Sequence, residues 1–312
     1  MPTKSMNKEI GKKAESLLSL KEKGLFNENL LILSELPKKQ EFFKLLLSNK
    51  FTSGSNLAVR FSSPSKTINL PRSIILDSFD KVYEFIESNI NGDLTTIIHD
   101  FVTPEFSGSL IKKNNKIYLS LIHGVWESES SKSCDNIIIS KNNAKIFLNP
   151  EEKECLFVNK EKLDKKTIQS NEQEITRIIK ELYSQIKELD FKEGILYEFI
   201  ISQDNNLTIM EYKQVENFNE FDGDLNVFDF FEISKYSDIK KWDKVRDLVL
   251  SVPVTRENDL EFIKMIEEIK KLKDKVYVTY GLCSHPSILL REFGINVIPF
   301  NEKRKIIEIE LN

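Results

Sequence analysis

Apolar positions along the chain recur at intervals of three to four in some stretches and of two in others, and these changes of period mark out helices and strands. Ile10, Ala14, Leu17, Leu18 and Leu20 predict a helix over Glu9–Lys23, with Gly24 as its C-cap. Leu30–Leu33 reads as a strand, Pro37 as a turn and Glu41–Leu47 as a second helix. Asn56–Ser62 alternates as a strand does and holds Arg60; Val82, Phe85, Ile86 and Ile90 define a helix over Asp80–Ile90. Thr95–Val102 and Ser107–Ile111 read as strands around a turn at Thr103–Glu105. Lys116–Ile122 pairs with Ser109–Lys113 across Asn114–Asn115. Strands at Asn136–Ser140 and Lys145–Leu148 follow. Ser170 and Gln173 resemble a capping box ahead of the clearest amphipathic helix, Ile175, Ile178, Ile179, Leu182, Ile186 and Leu189.

Ile195–Ser202 and Leu207–Lys213 then read as a hairpin turning at Gln203–Asn206. The acidic, aromatic stretch Asn217–Phe231 reads as a connector anchored by phenylalanines. Beyond it come strand Leu248–Val254, helix Asp259–Leu272, strand Val276–Tyr280, a helix opened by Pro286 and closed by Gly294, and strand Ile295–Phe300. That β-α-β-α-β order predicts a small α/β module, closed by a strand over Lys305–Leu311.

Composition narrows the function classes. At 312 residues the chain can form two domains, and 40% hydrophobic with 30% charged residues suits a globular protein. A net charge of -4 gives no basic face for nucleic acid, and the apolar runs are too short to span a bilayer. Cys134, Cys155 and Cys283 show neither disulfide nor zinc spacing, so a reducing, cytoplasmic location is expected. His99 and His123 sit in or beside apolar strands, where packed histidines are common.

Three places carry candidate chemistry. His285 stands at the mouth of the Pro286 helix, where backbone N–H groups and the helix dipole favour an anionic group such as a phosphoryl; a plain helix start is the alternative. Arg60 lies inside a strand and needs an anion partner. Glu198 and Glu211 lie inside the two strands of the hairpin, either as a hard-oxygen site for magnesium or as solvent-facing groups on an edge.

The stretch CSHPSILLREFGINVIP resembles the phosphohistidine segment of the phosphoenolpyruvate synthase and pyruvate phosphate dikinase family, TSHAAIVARELGIPAVV, aligned without a gap. Ser284, His285, Ile288, Arg291, Glu292, Gly294 and Ile295 are identical. Shorter resemblances fall in the family's order: GKKAESL at Gly11–Leu17, LAVRFSS at Leu57–Ser63, HDFVTPEFSGSL at His99–Leu110, GVWESES at Gly124–Ser130, LYEFII at Leu196–Ile201 and LTIMEYKQVE at Leu207–Glu216.

The resemblance implies a mixed α+β and α/β fold: an ATP-grasp-like two-lobed domain over residues 1–216, a connector over 217–242 and a swivelling phosphohistidine domain over 243–312. It also implies an ATP-dependent phosphotransferase with ATP and Mg2+ as cofactors. His285 would be the phosphoryl carrier. Lys13, Arg60, Glu127, Glu198, Glu211 and Lys213 would contact the nucleotide, with Glu198 and Glu211 on the magnesium side. The family's serine- and glycine-rich loop is replaced here by PSKTINLPRSIIL, and nothing corresponds to the pyruvate-binding barrel. The expected acceptor is therefore a small molecule or another protein, with no nucleic acid and no membrane. Two further readings stand beside this one: a degenerate nucleotide-binding subunit, and an ATP-grasp ligase in which His285 is structural.

Overall fold

The computed structural model describes residues 10–65, 70–71, 73–90, 93–125, 134–150, 152–159, 162–215, 218, 229–252, 254, 258–300 and 305–311. The chain divides into two compact units. One comprises Met1–Thr103, Val158–Leu163 and Thr208–Glu211; the other comprises Pro104–Phe157, Asp164–Leu207 and Tyr212–Asn312.

The first unit contains α1 (Lys12–Glu22), β1 (Leu30–Leu33), α2 (Lys39–Ser48), β2 (Leu57–Ser62), β3 (Ile74–Leu76), α3 (Phe79–Asn89) and β4 (Thr95–Asp100). Its four strands form an antiparallel sheet in the order β1-β4-β2-β3. Phe42 and Leu46 of α2 and Val82 and Ile86 of α3 bury one face against Leu57, Val59 and Ile98. Strand alternation sends Ala58, Arg60, Ser62, Thr95, Ile97 and His99 to the opposite face. The start of α1 meets that face. The Ala14 amide donates to Ser62 Oγ at 3.4 Å. Gly11 has a φ of 75°, and a Cβ there would lie 2.6 Å from Ser62 Oγ and from the Ser63 backbone.

In the second unit and the segments shared with the first lie β5 (Pro104–Lys113), β6 (Lys116–His123), β7 (Asp135–Ser140), β8 (Asn143–Leu148), β9 (Glu152–Asn159), β10 (Lys162–Gln169), α4 (Glu172–Ile186), β11 (Ile195–Ser202) and β12 (Leu207–Gln214). A parallel module follows: β13 (Phe230–Ile233), a 3-10 helix (Tyr236–Lys241), β14 (Asp247–Leu250), α5 (Asp259–Lys270), β15 (Lys275–Val278), α6 (His285–Glu292) and β16 (Asn296–Pro299); then comes β17 (Lys305–Glu310). The large sheet has seven strands in the order β12-β11-β5-β6-β7-β8-β17, and the small one is parallel in the order β13-β14-β15-β16. Phe262, Ile266 and Leu290 cover one face of the small sheet through Leu250, Val276 and Val297. The other face packs Val249, Tyr277 and Ile298 onto Ile111, Tyr118, Ile138 and Phe147 of the large sheet. This part of the chain is thus layered helix, parallel sheet, antiparallel sheet.

The mixed fold class and the small α/β module match the sequence reading; several details differ. Thr95–Val102 and Ser107–Ile111 do not flank one hairpin. β4 has both edges occupied by β1 and β2, and β5 lies between β6 and β11. The connector region 217–242 supplies β13, because Phe230–Ile233 completes the parallel sheet beside β14. The strand read as closing the module, Lys305–Leu311, instead pairs as β17 with β8 of the large sheet. The compact units also do not break at residue 216, since 212–312 falls with 104–157. The α4 cap is Asn171, whose side chain accepts from the Gln173 and Glu174 amides, while Ser170 Oγ donates to Asp135 at 2.6 Å. Charge density in Glu152–Gln169 hid β9 and β10. Among the described residues, no helix is long and apolar enough to cross a membrane.

Candidate functional site

His285 is the first residue of α6, after the Ser284 N-cap, and is exposed. Parallel strand β15 leads into it, so it stands at the carboxyl end of the small sheet and at a helix N-terminus. Both positions favour anions. The turn that carries it is fastened to the large sheet. The Leu282 amide donates to Asn136 Oδ1 at 2.8 Å, and the Cys283 amide to Ser120 Oγ at 3.0 Å. Ser109 Oγ donates to the Cys283 carbonyl at 3.0 Å, and Ser120 Oγ to Asn136 Oδ1 at 2.9 Å. These side chains are buried, so releasing the turn would leave dry polar groups unpaired, at about 1–3 kcal/mol each. A swivel of the module would have to break this set of bonds and free β17 from β8.

Two residues of the histidine segment are structural. Arg291 is fully buried. Its guanidinium donates to the Leu282 carbonyl at 2.5 Å, approaches the Ser287 and Val297 carbonyls, and lies 4.3 Å from the Phe218 ring centre. Burial pushes its pKa down to about 10, which still leaves it charged at neutral pH. Cys283 is buried beneath Tyr118 and Ser120, and burial pushes its thiol up to about 12, so it is no thiolate nucleophile. Gly281 lies flat on the sheet. A Cβ there would stand 2.8 Å from Ser120 Oγ and 3.0 Å from Cys134 Sγ. Gly281→Ala should therefore cost about 1–3 kcal/mol and speed hydrogen exchange at the Leu282 and Cys283 amides; unchanged exchange would contradict the fastening.

A second grouping lies in the first unit. Lys13, on the first turn of α1, pairs with Glu211 at 3.8 Å, each about one-third exposed. Such a pair is worth about 0–1 kcal/mol and can open for a ligand. Arg60 is half-buried on β2, between the buried Val59 and Phe61. Among the described residues, none hydrogen-bonds or ion-pairs with it. Its charge instead bears on His99, which is fully buried and held unprotonated down to about 3, chiefly by burial and then by Arg60. His99 Nδ1 lies 2.8 Å from the Asp100 carbonyl, and its ring stands edge-on to Phe26.

The remaining expected residues are less gathered. Glu198 on β11 is half-buried and opposite Ser109 of β5. It lies one strand in from the edge of the large sheet and belongs to the second unit, as does Lys213 on β12. Glu127 lies outside the described residues. Among the described residues, no three His, Cys, Asp or Glu side chains gather as a metal site. Asp135 is buried and accepts from the Asn149 amide and Ser170 Oγ, joining β7 to the start of α4. His123 lies 3.9 Å from Glu174, whose pKa is raised by burial and by the Glu105 charge.

Sequence reasoning did not find Ser109, Ser120 and Asn136 as the seat of the histidine turn. Their signal was present, as small polar residues inside strands of otherwise apolar residues.

No family model and no curated protein matches the chain. Solved structures are similar over part of it. D-alanyl-alanine synthetase A from Vibrio cholerae has 12% identity and a TM-score of 0.34, covering 65% of this chain and 54% of that one. The D-alanine–D-alanine ligase of Coxiella burnetii has 10% identity and a TM-score of 0.36, covering 65% and 47%. Carboxyaminoimidazole ribonucleotide synthase from Aspergillus clavatus, solved with ATP, has 14% identity and a TM-score of 0.36, covering 65% and 44%. The chain thus spans about half the length of each. Likeness at these TM-scores carries no argument about fold or activity.

Proposed function

We propose that this chain is an ATP-utilising enzyme of ATP-grasp type that holds the nucleotide phosphates at Arg60 and Lys13. The observation that carries this reading is the half-buried Arg60 charge, which no described residue neutralises. A cation in that position calls for a ligand anion, and a guanidinium fork matches phosphate oxygens. Lys13 and Glu211 supply the rest. With the pair open, Lys13 would meet phosphate and Glu211 would be free to hold Mg2+, which would supply charge neutralisation on the phosphates. Magnesium commonly uses one or two carboxylates together with substrate phosphates, so one carboxylate here is compatible with it.

Two chemistries fit this binding mode. In the first, acyl phosphate formation and ligation take place at the nucleotide site and His285 is structural. The fastening of the histidine turn supports this, because its module does not hang on a free hinge. In the second, His285 carries a phosphoryl group, supported by its exposure at the α6 N-terminus.

Titration calorimetry with MgATP tests the shared part. Wild type should bind, and Arg60→Met should weaken binding by about 10- to 100-fold, the worth of a charge-assisted contact. Equal binding by the variant would overturn the assignment. Incubation with ATP labelled at its β or γ phosphate then separates the two chemistries. Acid-labile label on wild type and none on His285→Ala supports the carrier; no label on either, with an intact ligation activity, supports the ligase.

A further inference from the structure

Arg60 has two buried polar neighbours that no other described residue satisfies. In the β2–β4 register Arg60 stands opposite Ile97, so Thr95 and His99 are its diagonal neighbours on the same sheet face. Thr95 is fully buried and His99 is 1% exposed, and among the described residues neither Thr95 Oγ1 nor His99 Nε2 has a hydrogen-bond partner. The His99 tautomer follows from its surroundings. Nδ1 faces the Asp100 carbonyl, which can only accept, so Nδ1 carries the proton and Nε2 presents a lone pair. An unpaired acceptor in a dry core costs about 1–3 kcal/mol. Two such atoms flanking one arginine with five donors, to which no described residue hydrogen-bonds or ion-pairs, form a complementary set for a ligand to complete.

We infer that His99 and Thr95 are positioning residues for Arg60: when an oxyanion binds, the guanidinium turns to donate to His99 Nε2 and Thr95 Oγ1 on its inner side while its outer N–H groups grip the anion. This rests on the reading of Arg60 as a phosphate-binding residue and adds what holds it in place. Arg60 alone is a flexible side chain that loses rotamer freedom on binding. Two fixed acceptors on its inner side set the plane of the fork, leaving its remaining donors aimed outward. Neither residue touches the ligand. The arrangement also accounts for polar atoms kept buried at a cost to stability, a trade found where a site is organised for function.

The test compares wild type, His99→Phe, Thr95→Val and Arg60→Met, each titrated with MgATP and with inorganic tripolyphosphate, alongside thermal unfolding. Phenylalanine keeps the ring against Phe26, and valine keeps the shape of threonine. A purely structural role predicts that removing unpaired atoms leaves affinity unchanged. The positioning role predicts a 5- to 20-fold loss of affinity in both variants with the melting temperature unchanged or raised. It also predicts partial recovery in His99→Gln, whose amide oxygen restores an acceptor. Wild-type affinity in both His99→Phe and Thr95→Val would overturn the inference while leaving the nucleotide site standing. Binding of tripolyphosphate but not ATP, lost in the same variants, would overturn the nucleotide reading and keep the inference. No binding of either probe by wild type would overturn both.

Discussion

Lowering the pH from 7 to 3 should remove about 4 kcal/mol of stability through His99 alone, and His99→Phe should abolish that component. The imidazole is fully buried, and its folded pKa falls from 6.5 to about 3. Between those values the unfolded chain takes up a proton that the folded chain refuses. Stability therefore rises with pH across the window and is lost as pH falls through it. The size follows from about 1.4 kcal/mol per pKa unit. Burial is the larger cause; the Arg60 charge adds to it, and the bond to the Asp100 carbonyl opposes it. Carboxylates that protonate in the same range affect wild type and variant alike, so the difference between their denaturant-unfolding curves isolates the histidine. Parallel curves from pH 7 to 3 would show that His99 is solvated in the folded protein. The variant should be the more acid-resistant of the two.

Arg291→Ala should destabilise the protein by about 3–5 kcal/mol, while Arg291→Met should cost only about 1–3 kcal/mol. Alanine leaves a cavity beside Phe218 and removes the donor to the Leu282 carbonyl. Methionine loses the same bond but fills much of the space, and it removes a buried charge for which the described residues provide no carboxylate. The comparison separates packing from charge. Urea unfolding of both variants is the measurement, and an alanine variant within 1 kcal/mol of wild type would mean that the guanidinium is not the keystone of the turn. An arginine that matches a phosphohistidine motif residue for residue thus has a structural task in this chain. It shapes the backbone before His285 and is too deep to meet a ligand.

How far the sequence was legible depended on whether a feature was local. α4 was readable because five isoleucines and leucines repeat at helical spacing. The β5–β6 hairpin was readable because Asn114 and Asn115 accept positive φ, at 47° and 61°. The β15–α6–β16 run was readable from Pro286 and Gly294. What could not be read was register and partner choice across long separations. Nothing near Thr95 in sequence announces that it neighbours Arg60; only the pairing of β2 with β4 does. Ser120 and Asn136 likewise acquire their meaning from a turn about 150 residues later. β17 looked like the end of the module it follows because neighbouring elements usually pack together. Its alternating Ile-Glu pattern is equally suited to either sheet edge, and the antiparallel match to β8 decides the outcome. The candidate site followed the same rule. Arg60 was recognisable as a charge inside a strand, whereas its buried neighbours became visible only once the strands were side by side.

The return of β17 to β8 also imposes an order on synthesis. Its residues pair with positions 157 to 167 places earlier in the chain. At about 5–20 residues per second, the edge of β8 waits roughly 10–30 s on the ribosome for its partner. During that interval an open strand carrying Ala144, Ile146 and Leu148 offers unpaired backbone groups to any neighbouring chain. The parallel module is made in the same interval, so it has time to fold before the last strand seals the large sheet. Chaperone dependence and translation speed should therefore influence the yield of this protein more than its final stability does.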